Sequence, residues 1–227
     1  MALILSNSDD DIKKASDKIL NNELVIFPTE TVYGIGGNAL NKTAIDKIYQ
    51  VKKRPKDNPL IMHVLNWEMA EMFTNLTEIE NTIINNLIEL WPGPLTFLVK
   101  CSKHVLPECN NNSGMIAIRS PNHKFIRKLI SNTNVPIVAP SANFSGKVSP
   151  SCYEYVEKSF KNYENMTIIK DKEPCKYGIE STIIKINSNT VTIVRPGIIL
   201  KEDIEKKLSN LDVIVKNYQA KSQQNYP

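Results

Sequence analysis

One stretch constrains the fold more than any other: the apolar run Leu24-Val25-Ile26-Phe27 gives way at once to Pro28-Thr29-Glu30-Thr31-Val32-Tyr33-Gly34-Ile35-Gly36-Gly37. Four successive large apolar residues read as a strand buried on both faces. Pro28 has no N–H for a ladder, and the glycines permit conformations and close approaches that a Cβ would block. The segment after Phe27 is too polar for a core strand, so the sequence predicts a strand-end loop that faces a ligand. An ordinary Gly-rich turn would account for these residues taken alone. The remainder of the chain bears on the choice.

Further apolar runs recur at Leu60 to Val64, Leu95 to Val99, Met115 to Ile118, Val135 to Ala139, Met166 to Lys170, Thr182 to Ile186, Thr190 to Val194 and Val213 to Val215, each predicted as a strand. Helical spacing alternates with them. An Asp9-capped helix turns Ile12, Ala15, Ile19 and Leu20 inward; a second, capped by Asn41 or Thr43, uses Ala44, Ile45, Ile48, Tyr49 and Val51. Thr77-Glu78-Ile79-Glu80 is a capping box that opens a third, which Trp91-Pro92-Gly93-Pro94 stops. Pro121 is placed to start a fourth, with further helices near Cys152 to Phe160 and Lys201 to Leu208. Cys101 to Gly114, with three consecutive asparagines, reads as a mobile surface connection. Strands and helices interleave without strict alternation. The expected fold class is therefore α/β of the α+β type, a single-domain twisted mixed sheet with flanking helices over residues 1–216, followed by a polar, mobile tail at 217–227.

Composition narrows the function class. At 227 residues, 41% hydrophobic and 23% charged, the chain can bury a substantial core. No apolar run approaches the ~18 residues of a membrane helix, and no basic, apolar leader precedes Asp9-Asp10-Asp11, so a cytoplasmic protein that avoids the membrane is expected. The net charge of +4 does not by itself mark a nucleic-acid binder. Cys101, Cys109, Cys152 and Cys175 form no C-x-x-C pair and His63, His104 and His123 no H-x-x-x-H spacing, which argues for free thiols and against zinc.

Polar residues sit at strand ends where packing has no use for them: Thr29-Glu30-Thr31, His63, Arg119 and Ser141, with Arg195 closing a fifth strand. A mixed sheet can aim such ends at one cleft. Between a helix and a strand, Lys52-Lys53-Arg54-Pro55-Lys56-Asp57-Asn58-Pro59 holds four cations between two prolines. Pro140-Ser141-Ala142-Asn143-Phe144-Ser145-Gly146-Lys147-Val148-Ser149-Pro150 is a second loop rich in hydroxyls and amides. Neither it nor Gly34-Ile35-Gly36-Gly37 has the spacing of a P-loop or a dinucleotide fingerprint, so phosphate binding here uses another backbone arrangement.

The blocks Pro28-Thr29-Glu30-Thr31-Val32-Tyr33-Gly34, Lys52-x-Arg54-Pro55, Asn58-Pro59-Leu60-Ile61-x-His63, Trp91-Pro92-Gly93-Pro94-Leu95-Thr96, Arg119-x-Pro121, Ala139-Pro140-Ser141-Ala142-Asn143-x-Ser145-Gly146, Glu180-Ser181-Thr182-Ile183 and Arg195-Pro196-Gly197 together resemble the YrdC-like family of threonylcarbamoyl-AMP synthases. They occur in family order over roughly residues 10 to 200. The resemblance implies an enzyme, a nucleotidyltransferase, that condenses L-threonine, bicarbonate or carbon dioxide, and ATP into threonylcarbamoyl-AMP with release of pyrophosphate. Other proteins would then transfer the group to adenosine 37 of transfer RNA, itself a further candidate partner. By motif position, Thr31, His63, Arg119 and Ser181 would hold threonine beside the Ala139 backbone. Lys52, Arg54, Asn58, Ser141, Ser149 and Arg195 would hold ATP, with backbone from Met115, and Lys52 and Arg54 would serve catalysis.

The residue chemistry agrees with that division. Arg119 suits a carboxylate as a two-pronged donor, and Lys52 and Arg54 suit phosphates. Attack of a carbamate on phosphorus needs alignment and charge neutralisation more than a covalent nucleophile. Magnesium held mainly by the phosphates would account for the absence of a carboxylate cluster; Glu30 and Glu180, the acids inside the blocks, have no assigned role. Lys53 stands where the family often has a small residue, a departure that bears on the shape of that loop. Two other readings compete: a non-catalytic module for double-stranded or transfer RNA, and a carbamoyltransferase-type domain.

Overall fold

The computed structural model describes residues 1–56, 58–144 and 146–218. The elements run β1 (Leu3–Leu5), α1 (Asp9–Leu20), β2 (Leu24–Phe27), β3 (Gly34–Asn38), α2 (Lys42–Lys52), β4 (Ile61–His63), α3 (Trp67–Glu71), α4 (Glu78–Leu87), β5 (Leu95–Lys100) and α5 (Pro107–Asn110). There follow β6 (Met115–Arg119), α6 (Lys124–Thr133), β7 (Ile137–Val138), α7 (Tyr153–Phe160), β8 (Met166–Ile169), β9 (Thr182–Asn187), β10 (Thr190–Arg195), α8 (Lys201–Lys207) and β11 (Ile214–Asn217). Among the described residues the strands form one mixed sheet in the order β1-β8-β2-β3-β7-β4-β6-β5-β9-β10-β11. Parallel pairs such as β4 with β6 alternate with antiparallel ones such as β5 with β6, as the interleaved pattern predicts.

Alternation along the strands sorts the core into two layers. Leu24 and Ile26 face one apolar cluster while Val25 and Phe27 face the other. The smaller cluster lies under α1 and α6, through Ile12, Ala15, Ile19, Phe125, Ile126, Leu129 and Ile130. The larger one receives α2, α4, α7 and α8, through residues such as Ile45, Ile83, Val156 and Ile204. Because α1 and α6 cover only part of their side, the β6-β5-β9-β10 part of the sheet keeps an open face.

Several expectations need correction. Gly34 to Asn38 is a strand, not part of the loop: β3 pairs antiparallel with β2 and β7 through backbone groups that need no side chain. A Cβ on Gly36 would lie 2.7 Å from side-chain carbons of both Phe27 and Ile137, so only glycine lets these side chains close over the strand. The cap of α1 is Ser8, whose hydroxyl accepts from the Asp11 N–H, and Asp9 to Asp11 occupy the first turn, where the helix dipole favours acids. Leu20 is exposed. Pro121 does not start α6; His123 caps it, accepting the Phe125 N–H. Cys101 to Gly114 is not simply a surface connection, because it forms α5, buries Val105 and Cys109, and receives the Leu60 N–H on the Cys109 carbonyl. At the other end, β11 reaches Asn217 and the Tyr218 N–H bonds the Ile193 carbonyl, so pairing runs past the expected boundary at 216. Of the expected mobile tail at 217–227, Asn217 and Tyr218 are thus paired, and the rest lies outside the described residues.

Candidate active site

A cleft of about 440 Å³ opens on the uncovered face of the sheet. Its floor is Leu98, Ala117, Ile183 and Val194, from β5, β6, β9 and β10. Thr29, Thr31, His63, Arg119, Ala139, Ser141, Ser181 and Arg195 form its walls at or near strand ends, joined by Lys52, Arg54, Asn58 and Ser149 from the two polar loops. Eleven of the twelve site residues that the resemblance implies thus meet, with Thr29 beside them and Glu30 outside. Met115 does not: it shares the Ala117 and Arg119 face of β6, by alternation, but lies a pleat beyond the lining residues.

At one end of the cleft, parallel pairing of β4 with β6 puts His63 beside Arg119. Arg119 is 3% exposed, its Nε donating to the Gly93 carbonyl (3.2 Å) and its Nη1 to Thr31 Oγ1 (2.9 Å). Its Nη2 lies 2.7 Å from Glu30 Oε1, a charge contact without hydrogen-bond alignment, so both Glu30 oxygens and Nη2 are buried with no hydrogen-bond partner among the described residues. Glu30 sits behind the cleft, in the wall of a second cavity with His123, Asp171 and Cys175, whereas Thr29 and Thr31 face the first. The loop is self-supporting: Thr29 Oγ1 accepts from the Thr31 and Val32 N–H groups and donates to the Val32 carbonyl. Burial, with the Arg119 charge beside it, pushes the His63 pKa down to about 3, so the imidazole is neutral. Its Nδ1 is 3.2 Å from the Ile61 carbonyl, which can only accept a hydrogen bond.

At the other end, Lys52 at the C-terminus of α2 is 1% exposed. Its Nζ donates to the Ser141 and Asn143 carbonyls and to Asn143 Oδ1 (3.3 Å), tying the two polar loops together. Burial, then the nearby Arg54 charge, lowers its pKa to about 8, with Glu180 opposing. Lys53 adopts a left-handed conformation, φ 49°, a position that favours glycine or asparagine, which gives a physical reason for a small residue there. The turn then presents Arg54, whose Nε donates to the Asn58 carbonyl (3.0 Å) and Nη2 to Asn58 Oδ1 (2.5 Å) and the Pro59 carbonyl (3.1 Å). Asn58 thus holds the guanidinium as well as lining the cleft.

Glu180 organises the third side. It pairs with Arg195 and accepts from Ser149 Oγ (3.0 Å), while Arg195 Nε and Nη2 donate to the Ser181 carbonyl and hydroxyl, both 3.0 Å. Gly197 makes this approach possible, since a Cβ there would lie 2.5 Å from the Thr182 nitrogen. Burial lowers the pKa of both Arg54 and Arg195 from the ordinary guanidinium value. Even with Glu30 behind Arg119 and Glu180 paired with Arg195, the five cations Lys52, Arg54, Arg119, Lys147 and Arg195 outnumber these two carboxylates, so the described cleft is positive and suited to an anion. Among the described residues no group of three His, Cys, Asp or Glu side chains could hold a metal, and no helix is long and apolar enough to cross a membrane.

Asn143, Thr96 and the four floor residues were not assigned to the site from the sequence. Asn143 receives Ser141 Oγ (2.6 Å) and Lys52 and so joins the loops; it sits inside a quoted motif, which was the available signal. Thr96 and the floor residue Ile183 also sit inside quoted motifs, whereas Leu98, Ala117 and Val194 look like ordinary strand positions that nothing in their local sequence marks.

The Sua5/YciO/YrdC family model, described as telomere recombination, matches residues 17–197. The chain is 39% identical over 211 residues to a threonylcarbamoyl-AMP synthase of Bacillus subtilis, covering 92% of this chain and 60% of the relative. It is 37% identical over 202 residues to one of Pyrococcus abyssi, covering 89% and 58%. The crystal structure of P. abyssi Sua5 complexed with L-threonine superimposes with a TM-score of 0.84 at 34% identity, over 95% of this chain and 62% of that one. The chain therefore spans about three-fifths of the length of these relatives. On the family match and on these identities, it belongs to the Sua5/YciO/YrdC family.

Proposed function

We propose that the chain is an L-threonylcarbamoyladenylate synthase, joining L-threonine, bicarbonate or carbon dioxide, and ATP, for N6-threonylcarbamoylation of adenosine 37 in transfer RNA by downstream proteins. The observation that carries this reading is the division of one cleft into two sets of donors. Arg119 with Thr31 and His63, beside Ala139, offers donors suited to an amino acid, Lys52, Arg54, Asn58, Ser141 and Ser149 suit a triphosphate, and Ser181, bonded to Arg195, joins the two groups. ATP hydrolysis would need only the second. The relatives' names and the threonine in the P. abyssi structure support it.

In this reading Arg119 takes the threonine carboxylate, and the neutral His63 adds no second cation beside it. Threonine's nitrogen, as the free amine after its ammonium proton has passed to solvent, adds to the carbon of carbon dioxide with loss of a second N–H proton, or to bicarbonate with loss of water, to form a carbamate. A carbamate oxygen then attacks the α-phosphorus, and the bond to pyrophosphate breaks. The protein's contribution is to hold the two reactants in line and to neutralise charge on the phosphates, through Lys52, Arg54 and Arg195. Magnesium would enter with ATP and offset phosphate charge; Glu180 and the Ser141 and Ser149 hydroxyls are the hard oxygen donors nearby, a set small enough to fit an ion held mainly by phosphate. The setting would be the cytoplasm.

Purified protein given ATP, magnesium, threonine and bicarbonate should release pyrophosphate and form the adenylate without transfer RNA. Production of ADP and phosphate, or turnover that persists without threonine, would overturn the reading.

A further inference from the structure

We infer that two hydroxyls assigned to neither substrate, those of Thr96 and Thr29, fix the hydrogen-bonding polarity of the amino-acid site, making Ser181 a donor into the cleft and Thr31 an acceptor. This deepens the synthase reading and rests on it.

Ser181 Oγ lies 3.0 Å from Arg195 Nη2, which can only donate, and 2.8 Å from Thr96 Oγ1. Thr96 is fully buried on β5, and its hydroxyl has Ser181 as its hydrogen-bond partner among the described residues. If Ser181 donated to Thr96, the Thr96 proton would be buried without an acceptor, a state folded proteins avoid. Thr96 therefore donates. Both lone pairs of Ser181 are then occupied, by Arg195 and Thr96, and the Ser181 proton remains for the cleft that this residue lines.

The other chain of hydroxyls runs the opposite way. Thr29 Oγ1 is 2.7 Å from the Val32 carbonyl, a contact that requires the Thr29 proton. The 2.8 Å contact between the Thr29 and Thr31 hydroxyls then uses the proton of Thr31, which shares the lone pairs of Thr29 with the longer Thr31 and Val32 N–H contacts at 3.1 and 3.2 Å. Thr31 also accepts from Arg119 Nη1 at 2.9 Å, which leaves it one lone pair and no proton to offer. A ligand must present an acceptor to Ser181 and a donor to Thr31. Threonine supplies acceptors in its carboxylate and hydroxyl oxygens and donors in its ammonium and hydroxyl groups.

The test is a double-mutant cycle read by calorimetric titration of L-threonine into the full chain. Thr96→Val keeps the β-branched shape and removes the donor, so threonine Kd should rise about three- to tenfold. Thr96→Ser should stay within about twofold of wild type. In a Ser181→Ala background Thr96→Val should have no further effect, because Thr96 acts through Ser181. Should Thr96→Val not fold, Thr96→Cys, a weak donor of similar size, carries the same comparison. Unchanged affinity in Thr96→Val, or an equal loss with and without Ser181, would overturn the polarity assignment while leaving the synthase reading intact. Failure of the wild-type protein to bind threonine would overturn both.

Discussion

Replacing Glu30 by Gln gives the sharpest test of how the cleft is held. The side chains of Arg119 and Glu30 are 4% and 5% exposed, their charges 2.7 Å apart, and the carboxylate has no hydrogen bond to share its charge. Glu30→Gln keeps size and shape but leaves a buried guanidinium uncompensated, with only the Gly93 carbonyl and Thr31 hydroxyl as partners. Removing one member of a buried ion pair costs about 3–5 kcal/mol, because the loss is the desolvated charge left behind. For a chain of this size each kcal/mol moves the midpoint by roughly 2–4 °C, so thermal unfolding should fall by about 6–20 °C. Adding Arg119→Met should recover most of the loss, since the orphaned charge goes too. Differential scanning calorimetry on the single and double variants reads both. A Glu30→Gln midpoint within about 2 °C of wild type would refute the view that this carboxylate carries the charge balance of Arg119.

Arg54→Ala should weaken a non-hydrolysable ATP analogue by about 1.5–3 kcal/mol in calorimetry and alter threonine binding less; unchanged nucleotide affinity would remove Arg54 from the site. Serine should be used about ten- to two-hundredfold less well than threonine in kcat/KM, the scale of one missing methyl in a pocket, and equal values would show the amino-acid pocket misassigned. Because the Lys52 pKa falls to about 8, nucleotide affinity should drop as pH rises through that value, and Lys52→Arg should flatten the profile. The same shift makes stability rise between about pH 8 and the ordinary lysine value of 10.5, where the unfolded chain holds the extra proton. His63, neutral down to about pH 3, should add no step to threonine affinity near pH 6.5, while stability declines below 6.5 as the unfolded chain takes up the proton. Metal analysis of active protein should find no stoichiometric zinc, and removal of magnesium should stop turnover.

What the sequence determined by itself was what local physics controls. The apolar runs at Leu24 to Phe27 and Leu95 to Val99 have few other uses than buried strands, Thr182 to Ile186 alternates as a half-buried one, and Thr77 to Glu80 carries its helix start in its own hydrogen bonds. The ordered motifs likewise named Lys52, Arg54, Arg119, Ser141 and Arg195, because residue chemistry is legible without coordinates. Only the tertiary structure decided what depends on partners distant in the chain. Gly34–Asn38 is a strand because β2 and β7 supply its ladder and Phe27 and Ile137 need its missing side chains. Met115 falls short of the cleft because the lining ends at Ala117, and Glu30 turns away from Thr29 and Thr31 toward Arg119 from behind. The proton order along Thr96 and Ser181, 85 residues apart, follows from an acceptor count that exists only once the sheet has formed.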